Sequence, residues 1–494
     1  MKRIVALLLF VLTLVSCSHG GAGTHGETEG VDKTDMTTVD GTDKTYEVTA
    51  PEEPKHEPTL TTEENGVVNI GYERQLFVDD FIIDTDLSDA YINIETPVKQ
   101  EAVFRFDKAY ERGDAVYHNI VRMPNGTYRM YYKAYSGLRR ICYIESEDGL
   151  NWTRPELDTN MQNGQKTNIV TSDEASPDNL FVFYDTNPLC LDSRRLKGVY
   201  GQWGEFLSLQ YSYDGKGNRF LFGSGYNERV MGKAPSTGGC YYDTLNTMYW
   251  DEYRGQYVAF VRGFHNEKGN YALSATFVTN YPHKLIRDIR VSYSKDGKSW
   301  SMPQPLNYGG EDNIQMYANA ITPYYRSPGL YVALPTRFFE EGGDKRTQVY
   351  FMTSRDTLNW TRTEEPYLIP NGADSYSYSS GEGYPCVGFI ETAENEMSFY
   401  MKERSGVPTL NRYTLRTDGF TSAMGTSLTT KPLSYKGESL EINFEGEIRI
   451  TATDKNGISV ISEWIKGDEI AEIIEFDGEL PEGTYPEFRN EGRN

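Results

Sequence analysis

At 494 residues the chain exceeds one ordinary domain, because domains average roughly 150 residues and all-β domains reach about 250. Aromatic residues make up 13% of the chain, with 37 Tyr, and the 46 Gly suit short strands joined by tight turns, so the composition favours an all-β protein. A formal net charge of −23 argues against nucleic acid as a partner, since a phosphate backbone must be met by a basic surface.

The N-terminus has the pattern of a bacterial lipoprotein signal peptide over residues 1–17. Lys2 and Arg3 precede an apolar run that is too short to span a bilayer but suits a signal peptide. The run ends in Leu-Val-Ser-Cys, which resembles a lipobox and predicts lipidation of Cys17. We expect a lipid anchor as the only membrane contact, on the periplasmic or surface side of the cell envelope. A plain secretory peptide is the alternative.

The segment that follows is predicted to be a disordered tether. Residues 18–66 are rich in Thr, Gly, Glu and Asp and hold almost no large apolar side chain, so they cannot bury enough surface to fold.

Four further cysteines are widely spaced and form no Cys-x-x-Cys pair, which argues against a zinc site. They are Cys142, Cys190, Cys240 and Cys386. We expect buried thiols, although export permits disulfides. No cofactor is predicted; a calcium ion in the channel is compatible with the fold but unsupported by any ligand spacing.

A phrase of the form Ser-x-Asp-x-x-x-Trp recurs and marks a repeated structural unit. It begins at Ser146, Ser294 and Ser354. The Ser and Asp side chains can satisfy backbone groups of a turn, while the Trp covers the flank of a sheet. The phrase is therefore predicted to be structural, not catalytic.

Paired aromatic strands precede these turns in five units. In the first unit the strands flank Pro-Asn-Gly, a hairpin signal. Repeats that cannot bury their own faces stack radially, so we predict a five-bladed β-propeller over residues 67–420, closed with help from a strand near Leu76. Six blades are the alternative if two units are merged. Alternating short strands then predict a small β-sandwich over residues 421–494.

Topology indicates where chemistry could lie. The hairpins between first and second strands share one end of the propeller, so first-strand starts and second-strand ends share the other end, here called the mouth. First-strand starts supply Glu111, Asp114, Asp178, Asp243, Glu311, Asp312, Tyr317 and Glu382. Second-strand ends supply Lys133, Arg262, Arg337 and Arg404. Carboxylates from several blades, interleaved with arginines, would face one cavity.

Three of these acids are candidate catalytic residues: Asp243, Glu382 and Glu111. Glycosidic cleavage needs one carboxyl to protonate the leaving group and a second as base or nucleophile. Glu382 lies between glycines that would let a ligand approach the backbone. Glu111 could instead be a solvated loop charge, and Asp243 could cap a turn.

Substrate-binding roles are predicted for a second group around the mouth. It consists of Asp114, His118, Arg262, Tyr317, Asn319 and Arg337. His118 could donate into the mouth or merely fill the channel. The two arginines could simply pair with the carboxylates, which would hold the acids ionised and aimed.

Six segments carry a resemblance to a known family: "QLFVDDFIID", "YDTNP", "MYWDEYRGQYVAFVRG", "YANAITPYY", "MTSRDTLNW" and "RYTLRTDGF". They resemble a group of bacterial proteins placed beside five-bladed glycoside hydrolases such as arabinanases and invertases. The resemblance implies a propeller followed by a β-sandwich, with glycan cleavage at the mouth. Such enzymes take catalytic carboxylates from blades one to three, commonly Asp, Asp and Glu. Here blade one offers Glu111 or Asp114, blade two Asp178, and blade three Asp243.

Three functions stay open on the sequence. The first is an extracytoplasmic glycoside hydrolase acting on an oligo- or polysaccharide. The second is a glycan-binding lipoprotein without turnover. The third is a phosphorylase in which Arg262, Arg337 and His118 bind phosphate.

Overall fold

The structure is a computed structural model that describes most of the chain from residue 66 onward. The described residues are 7–10, 61–62, 66–112, 114–171, 177, 179–202, 206–222, 228–232, 240–267, 285–309, 313–341, 343–369, 375–378, 381–480 and 487–491. The predicted signal peptide and tether fall almost entirely outside these ranges, as do Cys17, Asp178, Glu311 and Asp312.

The described strands form five blade-like antiparallel sheets that follow one another along the chain. Blade one contains Asp114–Arg122, Tyr128–Tyr135 and Arg139–Ser146, followed by a hairpin of Leu157–Gln162 and Gln165–Thr167. Blade two contains Phe181–Tyr184, Leu196–Gln202, Phe206–Tyr211 and Glu228–Met231, with a 3-10 turn at Asp192–Arg194. Blade three contains Thr247–Asp251, Gln256–His265, Ile286–Ser294 and Gln304–Pro305.

Each strand position of blade four is divided into two segments. Its strands are Met316–Ala318, Ile321–Pro323, Tyr331–Ala333, Thr336–Glu341, Asp344–Val349, Met352–Ser354, Thr361–Arg362 and Tyr376–Ser377. Blade five contains Ile390–Ala393, Glu396–Ser405, Val407–Arg416 and Val98–Arg105. The all-β propeller prediction is confirmed.

Each blade packs between two neighbouring blades, so its strands are buried on both faces. This explains why strands in the middle of a blade carry long apolar runs. Residues 257–264 of Gln256–His265 are all buried. The first strands of blades one to four lie side by side in order. Between blades five and one, the Val387 N–H donates to the His118 carbonyl and the Ile120 N–H to the Val387 carbonyl, both at 2.9 Å. Between blades four and five, the Thr336 hydroxyl donates to the Gly383 carbonyl at 2.7 Å, so the sheets form a closed ring.

The strand that completes blade five differs from the prediction. Val98–Arg105 pairs antiparallel with Val407–Arg416, so the outer strand of the last blade comes from the N-terminal side of blade one. Leu76 was expected to help close the ring. Its strand, Gln75–Leu76, instead belongs to a sheet with Leu440–Ile448 and Ile465–Ile473.

The C-terminal unit consists of four small sheets packed around a core of its own. Its strands are Leu7–Phe10, Thr61–Thr62, Val68–Gly71, Gln75–Leu76, Tyr91–Ile94, Thr421–Met424, Ser427–Thr429, Leu433–Tyr435, Leu440–Ile448, Ile450–Thr453, Ser459–Ile461, Ile465–Ile473 and Glu487–Glu491. Such an arrangement is a β-sandwich.

Residues 67–94 pack with this sandwich, which corrects the propeller boundary expected at residue 67. Val68–Gly71 runs parallel to Leu433–Tyr435. Side chains of the segment that follows alternate: Leu76 faces the propeller core, whereas Phe77 faces the sandwich core. The segment therefore joins the two units, and its apolar residues serve both cores.

The recurring Ser-x-Asp-x-x-x-Trp phrase forms the same hydrogen-bonded turn in each copy, as predicted. In the first copy the Ser146 hydroxyl accepts from the Gly149 N–H at 2.9 Å, and Asp148 accepts from the backbone N–H groups of Leu150 and Asn151 at 2.8 Å. The Trp152 indole N–H donates to the Gly149 carbonyl at 2.7 Å. Equivalent bonds surround Asp296 and Asp356. The backbone bonds lower the pKa of Asp296 to about 2.

Removing the turn carboxylate should weaken a blade without touching the mouth. Asp356→Ala loses acceptors for the Leu358 and Asn359 N–H groups, which lie 2.9 and 2.7 Å away. We expect the free energy of unfolding to fall by roughly 1–2 kcal/mol, because hydrogen bonds to a charged acceptor are lost. Urea unfolding measures the change. Asp356→Asn keeps one acceptor and should lose less; equal stability of all three proteins would contradict the structural role.

No disulfide joins the described cysteines. Cys142, Cys240 and Cys386 are buried and Cys190 is partly exposed, in agreement with the expected buried thiols. No helix within the described ranges is long and apolar enough to cross a membrane.

Candidate functional site

Aromatic rings from three blades meet at the mouth, where the first strands begin. The Tyr317 ring centre lies 5.6 Å from that of Tyr384 and 5.4 Å from that of Tyr378. The hydroxyls of Tyr317 and Tyr378 are 3.1 Å apart. Tyr117 adds a fourth ring, 5.9 Å from Tyr384. Burial raises the pKa of Tyr317 and Tyr384, so their hydroxyls stay neutral at ordinary pH.

A backbone irregularity in blade one aims Tyr117 into this group. Tyr117 has a φ of 58°, in the left-handed region, and the pairing register shifts between Val116 and Asn119. Bulges of this kind re-aim a side chain and are frequent beside functional sites. The Lys133 ammonium lies 5.3 Å from the centre of the Tyr117 ring.

Asp243 and Arg262 form an ion pair at the edge of the rings. Arg262 Nη1 donates to Asp243 Oδ1 at 2.9 Å, and Arg262 Nη2 contacts the backbone carbonyl of Tyr317. The guanidinium lies 4.7 Å from the centre of the Tyr317 ring. The Arg262 side chain is 1% exposed and that of Asp243 is 41% exposed. A buried cation therefore holds an accessible carboxylate in place.

A second charged group lies on the blade-one and blade-five side of the rings. Lys402 Nζ lies 3.1 Å from Asp114 Oδ1. Burial lowers the pKa of Lys402, and the nearby carboxylates of Asp114 and Glu382 act in the opposite direction. Glu382 Oε1 accepts from the Arg404 backbone N–H at 2.8 Å.

Gly381 lets its loop pass close to this charged group. Its φ is 63°, and a Cβ there would lie 2.8 Å from Lys402 Nζ and 3.0 Å from Asp114 Oδ1. Protein side chains, Lys402 and Asp114, are the groups that approach here, and approach of a ligand to the glycines beside Glu382 stays a prediction.

The structure does not bring Glu111 to the mouth. Its side chain is fully buried behind blade one, where Tyr132 donates to it at 2.6 Å and Arg154 Nη2 at 2.6 Å. The Lys108 backbone N–H also donates to it, at 3.0 Å. The turn before the strand folds this acid inward, so the predicted catalytic role is not supported by its position.

Arg337 and Asn319 also lie outside the group. Arg337 Nη1 donates to the Tyr350 hydroxyl at 2.8 Å on another flank of blade four. Asn319 Nδ2 donates to the Phe260 carbonyl at 3.1 Å, and Asn319 Oδ1 accepts from the Ile321 N–H at 3.2 Å. Asn319 therefore joins blades three and four, and neither residue is placed to grip a sugar.

His118 fills the interior, which was the alternative to a role at the mouth. Its ring centre lies 5.5 Å from that of Tyr132 and 5.3 Å from that of Phe106, and its side chain is buried. Burial lowers its pKa to about 3, so the ring is neutral at ordinary pH. Both ring nitrogens are buried and have no hydrogen-bond partner among the residues that the structure describes.

Several mouth residues were missed at the sequence level: Tyr117, Arg287, Tyr378, Tyr384 and Lys402. Arg287 lies in the third strand of blade three, which the search of strand ends left out. Lys402 lies two residues before the chosen Arg404 and shares its face of the strand, so the period-two pattern could have found it.

A cavity of about 700 Å³ lies at the opposite, hairpin end of the propeller. Its lining is largely aromatic, with Tyr184, Tyr249, Trp250, Tyr324 and Tyr325 among its residues. Of its acids, Asp251 already pairs with Arg254 at 2.7 Å. Cavity volume alone would favour the hairpin end as the active site. Partly exposed carboxylates and the cations that pair with them, from several blades, instead converge at the mouth, and acid–base chemistry needs such groups.

Comparisons with known proteins give neighbours in structure only. No family model matches the chain, and no curated protein matches it. An N-acetylgalactosamine deacetylase from F. plautii, in complex with blood group B trisaccharide, is 14% identical; the match covers 66% of this chain and 95% of that one, with a TM-score of 0.42.

Glycoside hydrolases also stand among these neighbours, as the resemblance implied. An α-L-arabinanase from Penicillium chrysogenum, complexed with arabinobiose, is 11% identical, covering 66% of this chain and 99% of its own, with a TM-score of 0.37. An endo-1,4-beta-xylanase from Bacteroides thetaiotaomicron is 12% identical, covering 74% and 98%, with a TM-score of 0.37. Structural similarity at this low sequence identity assigns neither an activity nor a residue role to this chain.

Proposed function

We propose that this protein hydrolyses a glycosidic bond at the propeller mouth. One observation carries the proposal: Asp243 of blade three and Asp114 of blade one lie near a shared cluster of tyrosine rings, and Glu382, at the start of blade five, lies near Lys402, the partner of Asp114. The charges of Asp114 and Arg262 act in opposite directions on the pKa of the Tyr384 hydroxyl, so both charged groups lie near this ring. Flat aromatic faces beside carboxylates suit a sugar ring next to its acid and base.

Asp243 suits the role of base or nucleophile. Its carboxylate is compensated by Arg262 at 2.9 Å and remains 41% exposed. A charge-assisted bond of this kind fixes the orientation of the carboxylate. The carboxylate can therefore meet water or the sugar without a rearrangement of the buried arginine.

Asp114 and Glu382 are the two candidates for proton donor. Both lie near Lys402, whose ammonium is 3.1 Å from Asp114 Oδ1 and whose pKa is lowered by burial. Both carboxyl groups therefore lie in one charged group at the mouth, and either is a candidate to protonate the leaving-group oxygen.

The phosphorylase alternative loses its predicted anion site. Arg262 remains at the mouth, but Arg337 binds Tyr350 on another flank and His118 is enclosed in the interior. The three residues therefore do not converge on one phosphate. Export and lipid anchoring at Cys17 stay part of the proposal, supported by the N-terminal sequence pattern.

The test is release of reducing sugar from a panel of plant, algal and host glycans, with and without inorganic phosphate. We expect release by the wild-type protein, and loss of release in Asp243→Asn and in either Asp114→Asn or Glu382→Gln. Unchanged glycan affinity with no release by any protein would favour the binding-protein alternative. Sugar phosphate formed only with phosphate present would favour the phosphorylase.

A further inference from the structure

Two arginines of blade three lie against the same aromatic ring. The guanidinium carbons of Arg262 and Arg287 lie 4.7 and 5.5 Å from the centre of the Tyr317 ring. The two arginines are also 5.7 and 5.9 Å from the centre of the Phe264 ring. Their strands are paired, with Phe264 opposite Arg287, so both side chains reach one face of the blade.

The two cations share one carboxylate within the described residues. Asp243 pairs with Arg262. Arg287 donates from Nη1 to the amide oxygen of Gln315 at 2.8 Å and has no ion pair of its own within the described residues. Its Nε is buried and has no acceptor among the described residues. Burial and the charge of Arg262 lower the pKa of Arg287, while the nearby charge of Asp243 raises it.

Acids are sparse in the sequence that joins the two arginine-bearing strands. Residues 266–285, which connect the strand of Arg262 to the strand of Arg287, contain one acid, Glu267, at the end next to the Arg262 strand. The whole chain carries a net charge of −23, so two arginines that share one carboxylate at the mouth are a local exception. Buried charges are normally paired, and a guanidinium fork matches the two oxygens of a carboxylate.

We propose that Arg287, backed by Arg262, binds the carboxylate of an acidic sugar next to Asp243. The substrate class is then a glycan that contains uronic acid, a specification that rests on the proposed glycan-binding mouth. Arg287 contacts the anion. The N–H groups of Arg262 already donate to Asp243 and to the Tyr317 carbonyl, so Arg262 contributes only its nearby positive charge. The neighbouring tyrosine and phenylalanine rings present apolar faces to the sugar ring.

The test compares ligands before it compares variants. Affinities for a galacturonate oligosaccharide and for its carboxyl-reduced counterpart are measured by calorimetry with the full chain, using Asp243→Asn where turnover interferes. We expect at least tenfold tighter binding of the acidic form, weakening with salt. Equal affinity for the two ligands would overturn the proposal without any variant.

Arg287→Gln should abolish that preference, and Arg287→Lys should keep part of it. Arg337→Gln is the matched control, because Arg337 binds Tyr350 away from the mouth and its loss should leave the preference unchanged. A preference that survives Arg287→Gln in a folded protein would overturn the assignment. Tighter binding of a sulfated oligosaccharide, or of inorganic phosphate, would overturn the carboxylate as the anion recognised.

The result is separable from the proposed hydrolysis. A preference for the acidic oligosaccharide without cleavage of any glycan would support the substrate class and contradict the hydrolase. Cleavage of neutral glycans without a preference for the acidic form would support the hydrolase and contradict the substrate class.

Discussion

Replacing Asp243 by Asn is expected to lower glycan turnover about 10²–10⁴-fold, the usual contribution of a positioned acid or base. The amide keeps an oxygen that can accept from Arg262 Nη1, now 2.9 Å from Asp243 Oδ1. Because Arg262 is 1% exposed and would keep a hydrogen bond but lose the charge of its carboxylate partner, the substitution should also lower the free energy of unfolding by about 1–3 kcal/mol. Initial rates of sugar release, together with thermal unfolding, separate the two effects.

Glu391→Gln is the matched control for this variant. Glu391 is 48% exposed and pairs with Arg326 at 3.0 Å, so it resembles Asp243 in exposure and partner but lies at the hairpin end of the propeller. It should keep full turnover. Turnover by Asp243→Asn equal to that of the control would remove Asp243 from the mechanism and move the search for the base to Asp114 or Glu382.

The fold could be predicted where the signals are local. The turn at Ser146–Trp152 is held by hydrogen bonds within seven residues, so its sequence phrase is sufficient to mark it. The closing strand Val98–Arg105 could not be found this way. It is mostly exposed along its length, and its partner begins at residue 407, so nothing in its own sequence identifies the pairing.

The sequence predicts which part of a strand contributes to the site, but it does not always predict which face of that strand a given side chain occupies. Arg262 and Arg337 both lie in second strands, in Gln256–His265 and Thr336–Glu341, yet only Arg262 of the two lies against Tyr317. In blade four the neighbouring Phe338 takes that direction, with its ring centre 5.8 Å from that of Tyr317. One residue of register reverses the face of a strand, and no local pattern fixed that register here.

Glu111 shows a different limit, because its exposure depends on a turn that sequence alone does not resolve. The chain brings the Lys108 N–H to Glu111 Oε2 at 3.0 Å, which turns the acid away from the mouth and toward Arg154. A carboxylate at the start of a first strand is therefore a candidate for chemistry or for the blade interior, depending on the turn before it.

Because Glu111 lies in the interior, its replacement by Ala should lower the stability of the protein strongly and its glycan turnover little. Glu111→Ala leaves Arg154, which is 20% exposed, without the carboxylate 2.6 Å away and leaves the buried Tyr132 hydroxyl without its acceptor. Breaking a buried ion pair costs about 3–5 kcal/mol. For a chain of this size that corresponds to a fall of about 3–5 °C in Tm. Glycan turnover per folded molecule, measured well below Tm, should stay near the wild-type value.

Glu145→Ala in the same blade provides the comparison. Glu145 is 39% exposed and lies 3.7 Å from Arg129, so its removal should change Tm by about 1 °C or less. Glu111→Gln keeps the shape of the side chain and isolates the charge. If Glu111→Gln kept the wild-type Tm and lost turnover, the acid behind blade one would belong to the chemistry. The mouth would then have to include the Arg154 pair, because a purely structural carboxylate affects turnover only through the fraction of folded protein.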